Sequence, residues 1–207
     1  MPATSCQRCG TCCRKGGPAL HVDDFDLLTH IPMSDLVCLR KGEPVFDPRS
    51  DSLLPLQSEM FKIRGKGSGW ECVYFESGEK SCSVYDHRPL ECRSLSCSDT
   101  CGIFEVMGRP PLTRGDVISK ESGLWACIVE HERGFPVGRA FQLARQHDAA
   151  HPIPEALDDM IRREMAFRQV LAERVGTGDD ALWAYFGRPL WMVLLPLSHA
   201  FGRYEHP

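Results

Sequence analysis

A chain of 207 residues is long enough to bury an apolar core, so it needs no disulfides merely to stay folded. Its formal net charge of −4 excludes the strongly basic surface of a nucleic-acid binder. With 43% hydrophobic and 25% charged residues it reads as an ordinary soluble globular protein, apart from its eleven cysteines.

The chain opens "MPATSCQRCG", without the apolar h-region of a secretory signal. Its most apolar stretch, "PLWMVLLPL" (189–197), is too short to span a bilayer. A cytoplasmic protein without membrane segments is expected, and there thiols stay reduced. So many reduced cysteines point to metal binding or redox chemistry rather than a disulfide framework.

After the thiol loop, "HVDDFDLL" predicts a short helix with Asp23 as N-cap before Phe25, Leu27 and Leu28. "MSDLVCLRKGE" predicts a second, capped by Ser34 and stopped at Gly42, with Cys38 a core thiol. "EMFKIRGKGSGWECVYFESGEKSCSVY" reads as strands around the turns "GKGSG" and "SGEK". Pro89 in "HRPLECRSL" suits the first turn of a helix.

Helices are then expected around 116–132, 137–149, 155–175 and 179–186. The third is the clearest, with Leu157, Met160, Ile161, Met165, Val170, Leu171 and Val175 at helical spacing. "RPLWMVLLPLSHAF" begins as a buried turn or helix limited by Pro196. The fold class is α+β: a small cysteine-rich core with a short hairpin or sheet and short helices, then a helical C-terminal half. A boundary near residue 101 divides a metal-binding region (1–101) from a helical region (102–207) packed on it and open to a protein partner.

Ten of the eleven cysteines fall between Cys6 and Cys101. Cys6, Cys9 and Cys12 follow one another at three-residue steps, so a tight turn can aim their sulfurs at one centre while backbone N–H groups offset thiolate charge. This matches the first three ligands of a bacterial ferredoxin run, but the fourth is absent. Cys13 follows at once, and neighbouring side chains tend to diverge, which suits a second centre or a free thiol. The remaining ligands must come from Cys72, Cys82 and Cys92, joined by Cys97 and Cys101, which would share one helix face.

Those nine thiols suffice for two four-thiolate sites, or for one cluster plus a zinc. A structural zinc site usually pairs two C-x2-C knuckles, and the second is missing here. The x2–x2 run therefore favours an iron–sulfur cluster, with [4Fe–4S] the leading form and zinc the alternative. His21 and His87 read as surface histidines. Cys127 lies on an apolar helix face with Leu124 and Ile128, apart from the others.

"CQRCGTCC" followed by "CVYFESGEKSCSVYDHRPLECR" (72–93) resembles the CxxCxxCC family of zinc- or iron-chelating proteins, also called the YkgJ-type cysteine cluster family. The flagellin lysine N-methylases share this domain. The pattern C-x2-C-x2-C-C, an apolar strand bearing one cysteine, then C-[ST]-[IV]-Y-x2-R-P-x2-C-R is met by Cys6, Cys9, Cys12, Cys13, Cys72, Cys82, Tyr85, Arg88, Pro89, Cys92 and Arg93. The resemblance implies metal binding by those seven cysteines, and through the methylases it favours an iron–sulfur cluster. Where the family often continues toward an aromatic–proline pair, this chain runs "SLSCSDTCG", with two further thiols.

Beside several thiolates, the guanidiniums of Arg88 and Arg93 would offset charge and donate hydrogen bonds. The alternative pairs them with Asp86 and Glu91 at the surface. Tyr85 is expected in the core. Catalysis stays open: "IRGKGSGW" fits a hairpin tip better than a methyl-donor or phosphate loop, and Phe104 stands where a C-x3-C-x2-C signature needs its third thiol. "HPIPE" and "HERG" set histidine beside carboxylate, which alone is weak evidence for acid–base work. Three functions follow: an iron–sulfur protein with a structural, redox or sensory role, a modifying enzyme resembling the methylases, or a zinc- or iron-delivery protein.

Overall fold

Extended segments hold the first part of the protein together. Leu20 N–H donates to Phe61 O, Phe61 N–H to Leu112 O, and Leu112 N–H to Leu20 O, each at 2.9 Å. The three side chains that these bonds align are fully buried, and Ile31, Leu36 and Ile63 join them. Each such Leu, Ile or Phe contributes about 1.5–3 kcal/mol on leaving water. The computed structural model describes residues 6–67, 69–96, 101–146 and 152–205. The chain divides into two units, Met1–Val37 with Met60–Asp116, and Cys38–Glu59 with Val117–Pro207.

In the first unit, helix α1 (Thr11–Lys15) carries the second half of the thiol loop. The predicted helix over "HVDDFDLL" is a run of 3-10 turns, Val22–Thr29, in which Asp24 rather than Asp23 is buried and Phe25 is exposed. "MSDLVCLRKGE" departs further from expectation. A single 3-10 turn (Met33–Asp35) gives way to strand β1 (Leu36–Leu39), buried at all four positions. A run that is apolar at every residue carries no period, so sequence alone cannot tell buried strand from helix.

Strand β4 (Met60–Ile63) and the hairpin of β5 (Phe75–Glu76) with β6 (Ser81–Cys82) answer to the predicted strand region. "SGEK" is the turn of that hairpin, and its register pairs Phe75 with Cys82. Gly65 and Cys72 bridge across "GKGSG", as a hairpin tip requires. Pro89 then caps α2 (Leu90–Ser94), followed by α3 (Cys101–Val106) and the single turn α4 (Arg114–Val117).

The second unit pairs β2 (Pro44–Asp47) with β3 (Ser52–Pro55) and is otherwise helical. Its helices are α5 (Gly123–Gly134), α6 (Val137–Ala144), α7 (Glu155–Val175), α8 (Trp183–Phe186) and α9 (Leu190–Leu194). The architecture is α+β with a helical C-terminal half, as read from sequence. Helix α7 matches its predicted bounds, yet its buried stripe is Leu157, Ile161, Glu164 and Arg168, while Val170 and Val175 lie exposed. Cys38 is buried, as a core thiol should be, whereas Cys127 is exposed rather than on an apolar face.

Candidate metal centre

Two glycines shape the thiol loop. Gly10 holds φ 76°, and a Cβ there would stand 2.8 Å from Phe75 Cε2 and closer still to Cζ. A Cβ on Gly17 would meet the Ile63 backbone and its Cβ at 2.8 Å. The loop approaches the strands this closely only because both carbons are missing. Arg8 is also left-handed, φ 53°, and its N–H points at Cys6 Sγ, 3.4 Å away. On α1 the sulfurs of Cys12 and Cys13 are 4.0 Å apart. Neighbouring side chains were expected to diverge, but one helical turn keeps these two together.

The second stretch docks directly onto the first. Cys72 N–H donates to Cys13 O at 2.8 Å, and the hairpin places Cys82 opposite Phe75. Cys92 arrives on α2. Cys6, Cys9, Cys12, Cys13, Cys72, Cys82 and Cys92 all line one cavity of about 220 Å³, together with Tyr74, Phe75, Tyr85 and Arg88. Cys101 begins α3 and is exposed, and Cys97 lies outside the described residues. No disulfide joins the described cysteines.

Electrostatics show how near these sulfurs are. Burial, then the neighbouring Cys12, pushes the Cys13 thiol up to about 12, with Cys72 and Cys82 adding to the effect. Cys92 is partly exposed as a residue, yet burial of its sulfur pushes the thiol well up, reinforced by Cys72, Cys12, Cys13 and Cys82. Cys72 and Cys82 are raised by burial too. At neutral pH these four groups are therefore protonated thiols.

Against that, the backbone is arranged to receive negative charge. The N–H of Tyr74 hydrogen-bonds Cys72, and that of Val84 hydrogen-bonds Cys82, each favouring the thiolate. With Arg8 on Cys6, three separate turns aim the amide of residue i+2 at the sulfur of residue i. Lys62 and Lys66 favour the Cys72 thiolate, and Arg88 that of Cys82. The guanidiniums of Arg8 and Arg88 lie over the Tyr85 ring, 4.6 and 3.7 Å from its centroid. Tyr85 thus sits in a 3-10 turn under two cations, not in a core strand. Arg14 stacks on Phe75 and donates to Cys9 O.

Arg93 reaches Asp24 Oδ1 at 3.7 Å rather than Asp86 or Glu91. Glu91 accepts from Ala19 N–H at 2.8 Å and meets His21 Nε2 at 3.3 Å. His21, expected at the surface, is buried, and Glu91 raises its pKa above the ordinary histidine value. His87 is exposed and stacks on His30, centroids 3.6 Å apart. Sequence reading missed Arg8, Arg14, His21 and Asp24. For Arg8 the one available signal was its place inside the C-x2-C step.

Among the described residues, no three His, Cys, Asp or Glu side chains are already drawn together tightly enough to hold a metal ion. The donor set nevertheless fits a thiophilic metal: seven sulfurs line the cavity with no histidine among its walls. Two sulfurs bound to one tetrahedral ion with bonds of about 2.3 Å stand about 3.8 Å apart, close to the Cys12–Cys13 separation.

A family model described as "Putative zinc- or iron-chelating domain" matches residues 5–114, more than half of the chain. The chain belongs to the CxxCxxCC family. No curated protein and no solved structure matches it. The CxxCxxCC match covers the thiol loop, β4, the β5–β6 hairpin, α2 and α3, so the cavity lies wholly within the chelating domain. Metal binding is thereby the domain's chemistry, and no helix is long and apolar enough to cross a membrane among the described residues.

Proposed function

We propose that the cavity holds an iron–sulfur cluster ligated by thiolates from residues 6–13 and 72–101, serving a redox or sensory role. Cys6, Cys9, Cys12, Cys13, Cys72, Cys82 and Cys92, which line the cavity, are the core of the ligand set, with Cys97 and Cys101 held in reserve. The observation that carries this reading is the repeated aiming of an i+2 amide at sulfur, on Cys6, Cys72 and Cys82. Such hydrogen bonds set the charge and potential of thiolate-bound clusters. Seven sulfurs lining the cavity, more than the four donors one tetrahedral zinc ion takes, favour a polynuclear centre.

Arg8, Arg14 and Arg88 supply positive charge that offsets the ligating thiolates. When bound, the cluster supplies one-electron chemistry, while this chain's residues bind it, balance its charge and control its exposure. Cys9 and Cys12 are exposed, which leaves one side open to solvent and suits exchange of electrons or sensing of oxidants over a sealed structural role. Anaerobic purification with iron, zinc and acid-labile sulfide analysis tests the proposal. Iron and sulfide with visible charge-transfer absorption are expected, and stoichiometric zinc without sulfide would overturn it.

A further inference from the structure

Asp24 is fully buried, and its charge is spent on two backbone amides rather than on a cation. Its Oδ2 accepts from His21 N–H at 3.1 Å, where the 3-10 turns begin. Its Oδ1 accepts from Leu90 N–H at 2.8 Å, the first residue of α2, 66 positions away. One carboxylate therefore caps two N-termini at once, a favourable place for negative charge. Arg93 adds only a long, half-exposed contact at 3.7 Å.

Glu91 closes the same junction from the other side. It takes Ala19 N–H at 2.8 Å and faces His21 Nε2 at 3.3 Å. The segment 19–24 and the first turn of α2 are thus tied by three hydrogen bonds, two of them from buried groups. Between Leu90 and Arg93 on that turn sits Cys92, whose sulfur lies among the cavity thiols. A five-residue helix has too few internal bonds to fix its own orientation. Its direction, and so the aim of Cys92, is set from outside.

We infer that Asp24 is a positioning residue for the metal centre: it holds α2 so that Cys92 reaches the metal. This rests on the reading of Cys92 as a ligand. The test uses the full chain purified anaerobically with its native metal and treated with iodoacetamide, with each cysteine followed by mass spectrometry. In the wild type, Cys72, Cys82 and Cys92 are expected to be protected. In Asp24→Ala, Cys92 should alkylate at least ~10-fold faster while Cys72 and Cys82 stay protected, because a lost charged hydrogen bond is worth that factor or more. Metal content should fall no further in Asp24→Ala/Cys92→Ser than in Cys92→Ser alone.

Asp24→Asn retains one acceptor oxygen and should restore part of the protection, which keeps the test decisive if the alanine variant does not fold. Unchanged protection of Cys92, or equal loss at all thiols in the folded asparagine variant, would overturn the role of Asp24. If wild-type Cys92 alkylates equally with and without metal, it is the ligand reading that falls.

Discussion

The two units neutralise their buried acids in different ways. In the helical unit, Glu164 accepts from Arg168 Nε at 2.5 Å, meets His131 Nε2 at 3.2 Å and accepts from Leu190 N–H at 3.1 Å. Arg168 goes on to Asp179 and to the carbonyls of Phe186 and Gly187. Arg40 is bidentate on Glu132, and Glu43 takes Arg188 and the Arg40 amide. Among the described residues, both buried carboxylates there, Glu43 and Glu164, have their cation within the same unit. In the cysteine unit the buried carboxylate, Asp24, is held by two backbone amides, while the buried thiols of Cys72 and Cys92 lie near one another and are neutralised only by a proton or a metal. The helical unit balances its buried carboxylates with its own cations, whereas the cysteine unit leaves its buried thiols to a proton or a ligand.

Removing one member of the helical unit's charged network should produce the largest effect. Glu164→Ala leaves Arg168 buried without its main partner and is expected to cost about 3–5 kcal/mol, measured by denaturant unfolding. A cost below 1 kcal/mol would mean the network is not what holds these helices. In the cysteine unit, Cys72→Ser should remove most bound metal while changing unfolding of the metal-free protein little. Metal analysis beside a melt of stripped protein checks both halves of that statement.

Acid should separate the units as well. Burial and the nearby Arg40 and Arg168 outweigh the pull of Glu164 and hold His131 down near 4. Between its ordinary value of 6.5 and about 4, the unfolded chain takes a proton that the folded chain refuses, so stability falls as pH falls. Glu164, held near 2 by Arg168 and His131 despite its burial, extends the loss below the ordinary carboxylate value. Melting temperature against pH should therefore decline from about pH 6.5 downward. A flat profile to pH 4 would contradict the buried neutral histidine.

Gly10→Ala forces a side chain into left-handed backbone and against Phe75, with an expected loss of about 1–2 kcal/mol and reduced metal content. The smallest effect belongs to Cys127→Ser. That thiol is exposed on α5 in the helical unit, so metal content should not change, and a loss of metal there would dissolve the distinction between the units.

Legibility followed the range of the interactions. Helix α7 was readable because its period repeats along 21 residues, and the thiol constellation because spacing in the loop is local. β1 was not, since an unbroken apolar run has no period. Val170 and Val175 fit the apolar period yet lie exposed, while Glu164 and Arg168, which complete the buried stripe, carry charges that an apolar pattern does not count. Asp24 and His21 escaped for a related reason: their partners Leu90 and Glu91 lie 66 and 70 positions away. Sequence shows which groups are present, but distant pairing decides which of them can be buried.

The two glycines that flank α1 have a kinetic consequence. With Gly10 wedged against Phe75 and Gly17 against Ile63, the segment between them is tethered at both ends and cannot swing aside as a flap. A metal centre held there would have to give up its sulfurs one at a time, with the solvent-facing Cys9 and Cys12 the first open to exchange. Release should accordingly speed up with the concentration of a competing thiol instead of proceeding at a fixed intrinsic rate.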